Sequence, residues 1–229
     1  MAEFKIRSLE GTQYVEIHLA HEVVRTEAGA MRYIRGKIDI HSRVIPSIGG
    51  AIKSLIAEES IYRPTYFGTG VVTLESTLGG YHVVELDGES WILERGTYWA
   101  SEGDVDVGFR RERMMPSLWA GEGFVYLQTR VRGHGKVVLA TRGPVEEVVL
   151  EKGQRVAAQG YQVIARTGDV TFRMRRATKN FFGRFTAGEH RLRVFEGPGR
   201  VLVNPAPYWR LRVMSRKAGG DPGSPDLTS

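Results

Sequence analysis

The 229-residue sequence contains no cysteine, which excludes disulfides, thiolate metal sites and a cysteine nucleophile. It also lacks any apolar run approaching the roughly 18 residues of a bilayer-spanning helix. The opening stretch, Met1-Ala-Glu-Phe-Lys-Ile-Arg7, has no secretory h-region, so a cytoplasmic location is expected. Asparagine is nearly absent, with only Asn180 and Asn204. Lysine is scarce beside arginine, 7 against 25, a bias that fits a hot-growing source or a base-composition effect. Catalytic signatures are missing too. There is no G-x-x-x-x-G-K-[ST] phosphate loop, no strand–G-x-G-x-x-G–helix context and no G-x-S-x-G elbow, and no residue is nominated as catalytic. No cofactor or metal is expected, and the reading is of a protein that is not an enzyme.

What is abundant is glycine, 28 residues, and it recurs with a period. Gly29, Gly96 and Gly160 follow apolar runs, and Gly36, Gly103 and Gly168 come seven or eight residues later. A second marker is Gly68-Thr-Gly-Val-Val72, Gly133-His-Gly-Lys-Val137 and Gly197-Pro-Gly-Arg-Val201. A third is the acidic turn Ala57-Glu-Glu59, Ala120-Gly-Glu122 and Ala187-Gly-Glu189. Corresponding positions lie 63 to 67 residues apart, which predicts three tandem homologous β units. The boundaries fall at about 11–82, 83–146 and 147–214 within one compact body, 1–214. A Gly/Pro/Ser-rich tail, 215–229, is expected to be flexible.

Within the units the apolar period is two. Val15, Ile17 and Leu19 alternate with Tyr14, Glu16 and His18, and Leu192 and Val194 alternate with Arg191 and Arg193. This is the pattern of half-buried strands. The expected fold class is all-β, a pseudo-threefold arrangement of the short double-stranded β-helix or sandwich type. Paired glycines such as Gly68/Gly70 and Gly133/Gly135 are expected in tight hairpin or corner loops. His18 and His21 would face opposite sides of a strand, so joint ligation of a metal would need a bulge.

Two surfaces stand out. The first is the basic stretch Arg173, Arg175, Arg176, Lys179 and Arg184, interleaved with Phe181 and Phe182, a composition that suits RNA or another polyanion. Charge is lopsided in the same sense, −6 over residues 1–109 and +14 over 110–217. The second is a set of apolar loops carrying Ile52 and Leu55, Met115, Leu118 and Trp119, and Phe181 and Phe182. They either cap the sheets or gather as a patch for self-association, a protein partner or a membrane surface. The functional expectation is a non-catalytic scaffold or assembly protein, homo-oligomeric, with polyanion binding by the third unit as the alternative.

Four segments carry a family resemblance: Leu19–Met31 (LAHEVVRTEAGAM), Gly49-Gly50-Ala-Ile-Lys53 through Ser60, Ala120-Gly-Glu-Gly-Phe124 and Phe195-Glu-Gly-Pro-Gly-Arg-Val201. Their order and spacing over about residues 10–213 resemble the altered-inheritance-of-mitochondria family. The resemblance implies an all-β fold similar to that of the tryptophan RNA-binding attenuation protein. The mitochondrial relatives are associated with inner-membrane organisation and respiratory-complex integrity, without any known catalytic residues. Glu58 stands where the family usually has glycine, and Val203-Asn-Pro-Ala-Pro207 replaces a common glutamine-threonine-arginine run.

Overall fold

A computed structural model describes residues 1–41, 63–113, 125–159, 162–176 and 191–205. Fourteen β-strands account for its regular structure. The first third of the chain supplies β1 (Glu3–Leu9), β2 (Thr12–Thr26), β3 (Met31–His41) and β4 (Thr65–Leu74). The second supplies β5 (Tyr81–Leu93), β6 (Tyr98–Glu102), β7 (Asp106–Arg113) and β8 (Val125–Ala140). The last supplies β9 (Glu146–Leu150), β10 (Arg155–Gln159), β11 (Val163–Thr167), β12 (Thr171–Arg176), β13 (Arg191–Glu196) and β14 (Gly199–Val203). The chain is all-β, without a helix among the described residues.

Every strand pairing between these elements is antiparallel, and the same pairing recurs in each third. β4 lies between β2 and β3. β8 lies between β5 on one side and β6 and β7 on the other. In the last third, β14 lies between β9 and β11 while β13 lies between β10 and β12. The strands assemble into an eleven-stranded sheet, β3-β4-β2-β6-β8-β5-β11-β14-β9 with β1 on β2 and β7 on β8, and a three-stranded sheet, β10-β13-β12. The order is linear, and no described strand joins its two ends. Three apolar clusters follow the chain. One centres on Val15, Ile17, Val24, Tyr66 and Val72, one on Trp91, Leu93, Val131 and Leu139, and one on Leu150, Val163, Phe195 and Val201.

The alternation in β2 does put Val15, Ile17 and Leu19 in the core, but Glu16 between them is buried as well. Its carboxylate accepts from Arg7 on β1 at 3.0 Å and from Arg35 on β3 at 3.1 Å, with His18 at 3.6 Å. The hydrogen-bonded Arg7 guanidinium holds the Glu16 carboxyl below the usual carboxylate range, against the upward push of burial, and His18 and Arg35 add to the effect. A depressed folded-state pKa means stabilisation that is full above the unfolded value of about 4.3 and is lost as pH falls through the folded value. Thermal unfolding should therefore show Glu16→Gln less stable than the parent near neutral pH. The two melting curves should converge only once the pH has fallen through the folded-state value, where the parent's carboxylate is also neutral. A constant gap across that range would assign the loss to packing alone.

The glycine pairs are not loops. Gly68 and Gly70 lie inside β4, opposite Ile38 and Gly36 of β3, and Gly133 and Gly135 lie inside β8. A Cβ at Gly70 would fall well within van der Waals contact of the Arg35 carbonyl, and one at Gly135 would sit 2.7 Å from Glu102 Oε2. The spacing marks close approach of neighbouring groups in mid-strand, not reversal of the chain. The bulge that joint ligation by His18 and His21 would need is present, between Ala20 and Val23. His21 has a positive φ there, and it faces Thr69 Oγ1 at 3.3 Å. No group of three potential metal ligands occurs among the described residues.

Candidate functional site

Two places where successive thirds of the chain meet share one geometry. At the first, β2 pairs with β6 in the register Val24↔Glu102, Arg25↔Ser101, Thr26↔Ala100. The Glu27 N–H donates to the Trp99 carbonyl and the Gly103 N–H to the Val23 carbonyl, both at 2.8 Å. At the second, β5 pairs with β11 as Trp91↔Thr167, Ile92↔Arg166, Leu93↔Ala165. There the Glu94 N–H donates to Ile164 at 2.8 Å and the Gly168 N–H to Ser90 at 2.7 Å. Counted from the glycine markers, the two sets of positions are the same.

The side chains repeat as well. Glu27 accepts from Arg63 Nε at 3.2 Å, and Glu94 accepts from Gln128 Nε2 at 2.9 Å. Arg63 and Gln128 each stand five residues before the first glycine of the second marker. Arg63 also lies over the Tyr98 ring, 4.5 Å from its centroid. Burial raises the Tyr98 hydroxyl pKa to about 12, against the lowering effect of Ser101, whose Oγ lies 2.9 Å away. The hydroxyl is therefore a neutral hydrogen-bonding group inside the joint.

The second joint opens into a cleft of about 600 Å³ lined by Glu94, Thr97, Arg142, Ile164, Arg193 and Asn204 among others. Arg193 Nη1 reaches Glu94 Oε1 at 2.7 Å, so this carboxylate is tied to both Gln128 and Arg193. Asn204 is buried with neither amide atom hydrogen-bonded, and Gln128 Oε1 is in the same state. The cleft presents hydrogen-bonding groups at the ends of β5, β8 and β14 and the start of β11. Its acid is committed to structural partners.

The basic stretch read from the sequence divides. Arg173, Arg175 and Arg176 lie on β12, opposite Val194, Leu192 and Arg191 of β13, and Arg173 is exposed. Lys179 and Arg184 lie outside the described residues, as do Ile52, Leu55, Met115, Leu118, Trp119, Phe181, Phe182 and the 215–229 tail. Neighbouring cations are engaged: Arg155 with Glu196 at 2.8 Å and Arg200 with Glu89 at 2.5 Å. Sequence reasoning missed Glu94, Gln128 and Asn204. A signal was present for the first, because Glu27 and Glu94 each stand two residues before a marker glycine.

A family model described as "Mitochondrial biogenesis AIM24" matches residues 4–206. The chain belongs to this family. The resemblance read from its four segments thus extends over nearly the whole sequence. Among relatives, an uncharacterised protein of Streptococcus pyogenes serotype M6 is 22% identical over 200 residues, covering 82% of this chain and 79% of that one. The crystal structure of a Streptococcus pyogenes protein superposes with a TM-score of 0.67 at 18% identity, covering 95% of this chain and 99% of the other. That likeness carries the AIM24 fold. Among the described residues of this AIM24 member, no helix is long and apolar enough to cross a membrane.

Proposed function

We propose that this AIM24 member is a non-catalytic assembly protein that works in the cytoplasm by associating with copies of itself. Its three thirds are read as copies of one module in a pseudo-threefold series whose third contact no described strand closes within one chain. The observation that carries the proposal is the edge strand β3. Tyr33 and Ile40 on it are 49% and 48% exposed, and Phe67 and Val23 nearby are each 40% exposed. A long sheet edge bearing large apolar side chains is a template for pairing with another chain unless something covers it. The commitment of Glu16, Glu27 and Glu94 to cations and amides favours a structural use of the acids over general acid–base chemistry. Polyanion binding draws less support, because Arg155, Arg193 and Arg200 already hold carboxylates.

Size-exclusion chromatography with light scattering tests the reading. The expected mass is that of several chains, falling on dilution, and a strict monomer at high concentration would refute it. Replacing Leu118 and Trp119 by serine separates the two candidate contacts. A lowered mass would place the apolar loops in the contact, and an unchanged mass would leave it to the strand edge.

A further inference from the structure

The joint geometry occurs twice inside the chain, and the same positions occur a third time without being used. Ala158 pairs with Arg193, four residues before Gly197, as Leu93 pairs with Thr129 before Gly133 and Thr26 bonds the Pro64 carbonyl before Gly68. Tyr33 stands three before Gly36, as Ala100 and Ala165 stand before Gly103 and Gly168. A third joint of this kind would pair Tyr33 with Ala158, Ile34 with Ala157 and Arg35 with Val156. Yet β3 pairs only with β4, and β10 only with β13, among the described residues. The outer edges of both strands are exposed in the same chain.

Packing repeats the asymmetry. The first apolar cluster takes in Tyr81, Ala100 and Val138 from the second third, and the second takes in Ile164, Ala165 and Leu202 from the last. The third cluster takes in no described residue of the first third. Ala100 and Ala165 are buried, whereas Tyr33, their counterpart, is half exposed.

We infer that the third joint forms between molecules, the β3 edge of one copy pairing antiparallel with the β10 edge of the next. The inference rests on the self-association proposed above and names its surface, register and partner. The two edges differ, so the contact is head-to-tail and builds a ring or a filament according to its angle.

In both internal joints the flanking N–H donors sit at positions alternating with the Thr26↔Ala100 pair. Tyr33 and Ala158 would therefore form a non-hydrogen-bonded pair with Cα atoms about 4.5 Å apart, a separation that a disulfide spans. The chain has no cysteine of its own, so introduced thiols report on this contact alone. A Tyr33→Cys chain mixed with a differently tagged Ala158→Cys chain and mildly oxidised should give a linked pair containing one of each. Neither chain oxidised by itself should do so. In the unaltered protein, amide exchange at Ile34 and Ala157, the outward-facing backbone of the two edges, should slow as concentration rises.

A bond formed only within single molecules of the Tyr33→Cys/Ala158→Cys double variant would mean that the joint closes in one chain, and would overturn the inference. Absence of linkage with unchanged amide exchange, while light scattering still reports several chains, would overturn it and leave self-association standing. Absence of linkage in a strict monomer would overturn both.

Discussion

Gly70→Val is expected to lose about 2–6 kcal/mol of stability, summing about 1–3 for an overpacked contact and about 1–3 for backbone strain. Against a typical total of about 5–15 kcal/mol, that is enough to unfold much of the population. The cause lies across the ladder. Gly70 has φ +152° and is paired with Gly36, and any Cβ there drives into the Arg35 carbonyl and the Gly36 Cα. These are backbone atoms of a sheet and have no rotamer to escape into. Gly29→Ala is the control, because its Cβ would meet nothing within 4 Å and only its φ of +76° resists substitution. That variant should lose about 1–2 kcal/mol. Urea titrations followed by circular dichroism would rank the two, and a Gly70→Val protein as stable as Gly29→Ala would discredit the close-approach account.

Trp91→Ala should cost about 3–5 kcal/mol, the range for truncating a large buried aromatic. Trp91 has no exposed surface and clusters with Leu93, Tyr98, Val131 and Ile164. It stands in the second joint opposite Thr167. Its Nε1 donates to Glu89 Oε1 at 3.1 Å, and the Arg200 guanidinium lies over its ring at 4.9 Å. Glu89 accepts from the Asp87 N–H as well, at 2.8 Å. Burial pushes its pKa up, but the Asp87 N–H, Trp91 and Arg200 outweigh that and leave it lowered. Truncation therefore opens a cavity and removes a partner from a charged pair in one step. The midpoint of denaturant unfolding measures it. A loss under about 1 kcal/mol would mean the cavity collapses fully, contrary to the rigid packing of a strand joint.

The apolar period of two was legible because it is local: Val15, Ile17 and Leu19 are buried as their alternation demands. Glu16 was not, because its burial depends on Arg7 and Arg35 arriving from two other strands. The glycine markers announced special positions without the reason for them. At Gly70 the reason is a carbonyl of β3, and at Gly103 it is the Val23 side chain of the preceding third, neither of which spacing reveals. β1 has no counterpart in the later thirds and so left no repeat to notice. Of the cleft, Arg193 was visible only as a polar position alternating with Leu192 and Val194. Its tie to Glu94, which Gln128 shares, exists only once β5, β8 and β13 are brought together.

The sharing of cores between neighbours has a consequence for synthesis on the ribosome. The first cluster needs Ala100 and Val138, so the amino-terminal strands cannot bury their apolar face until β8 has emerged. At roughly 5–20 residues per second, the 66 residues from Leu74 to Ala140 leave that face wet for about 3–13 s. Nascent chains of this protein are thus candidates for holdase protection during one defined interval of translation, and for none once β8 has docked.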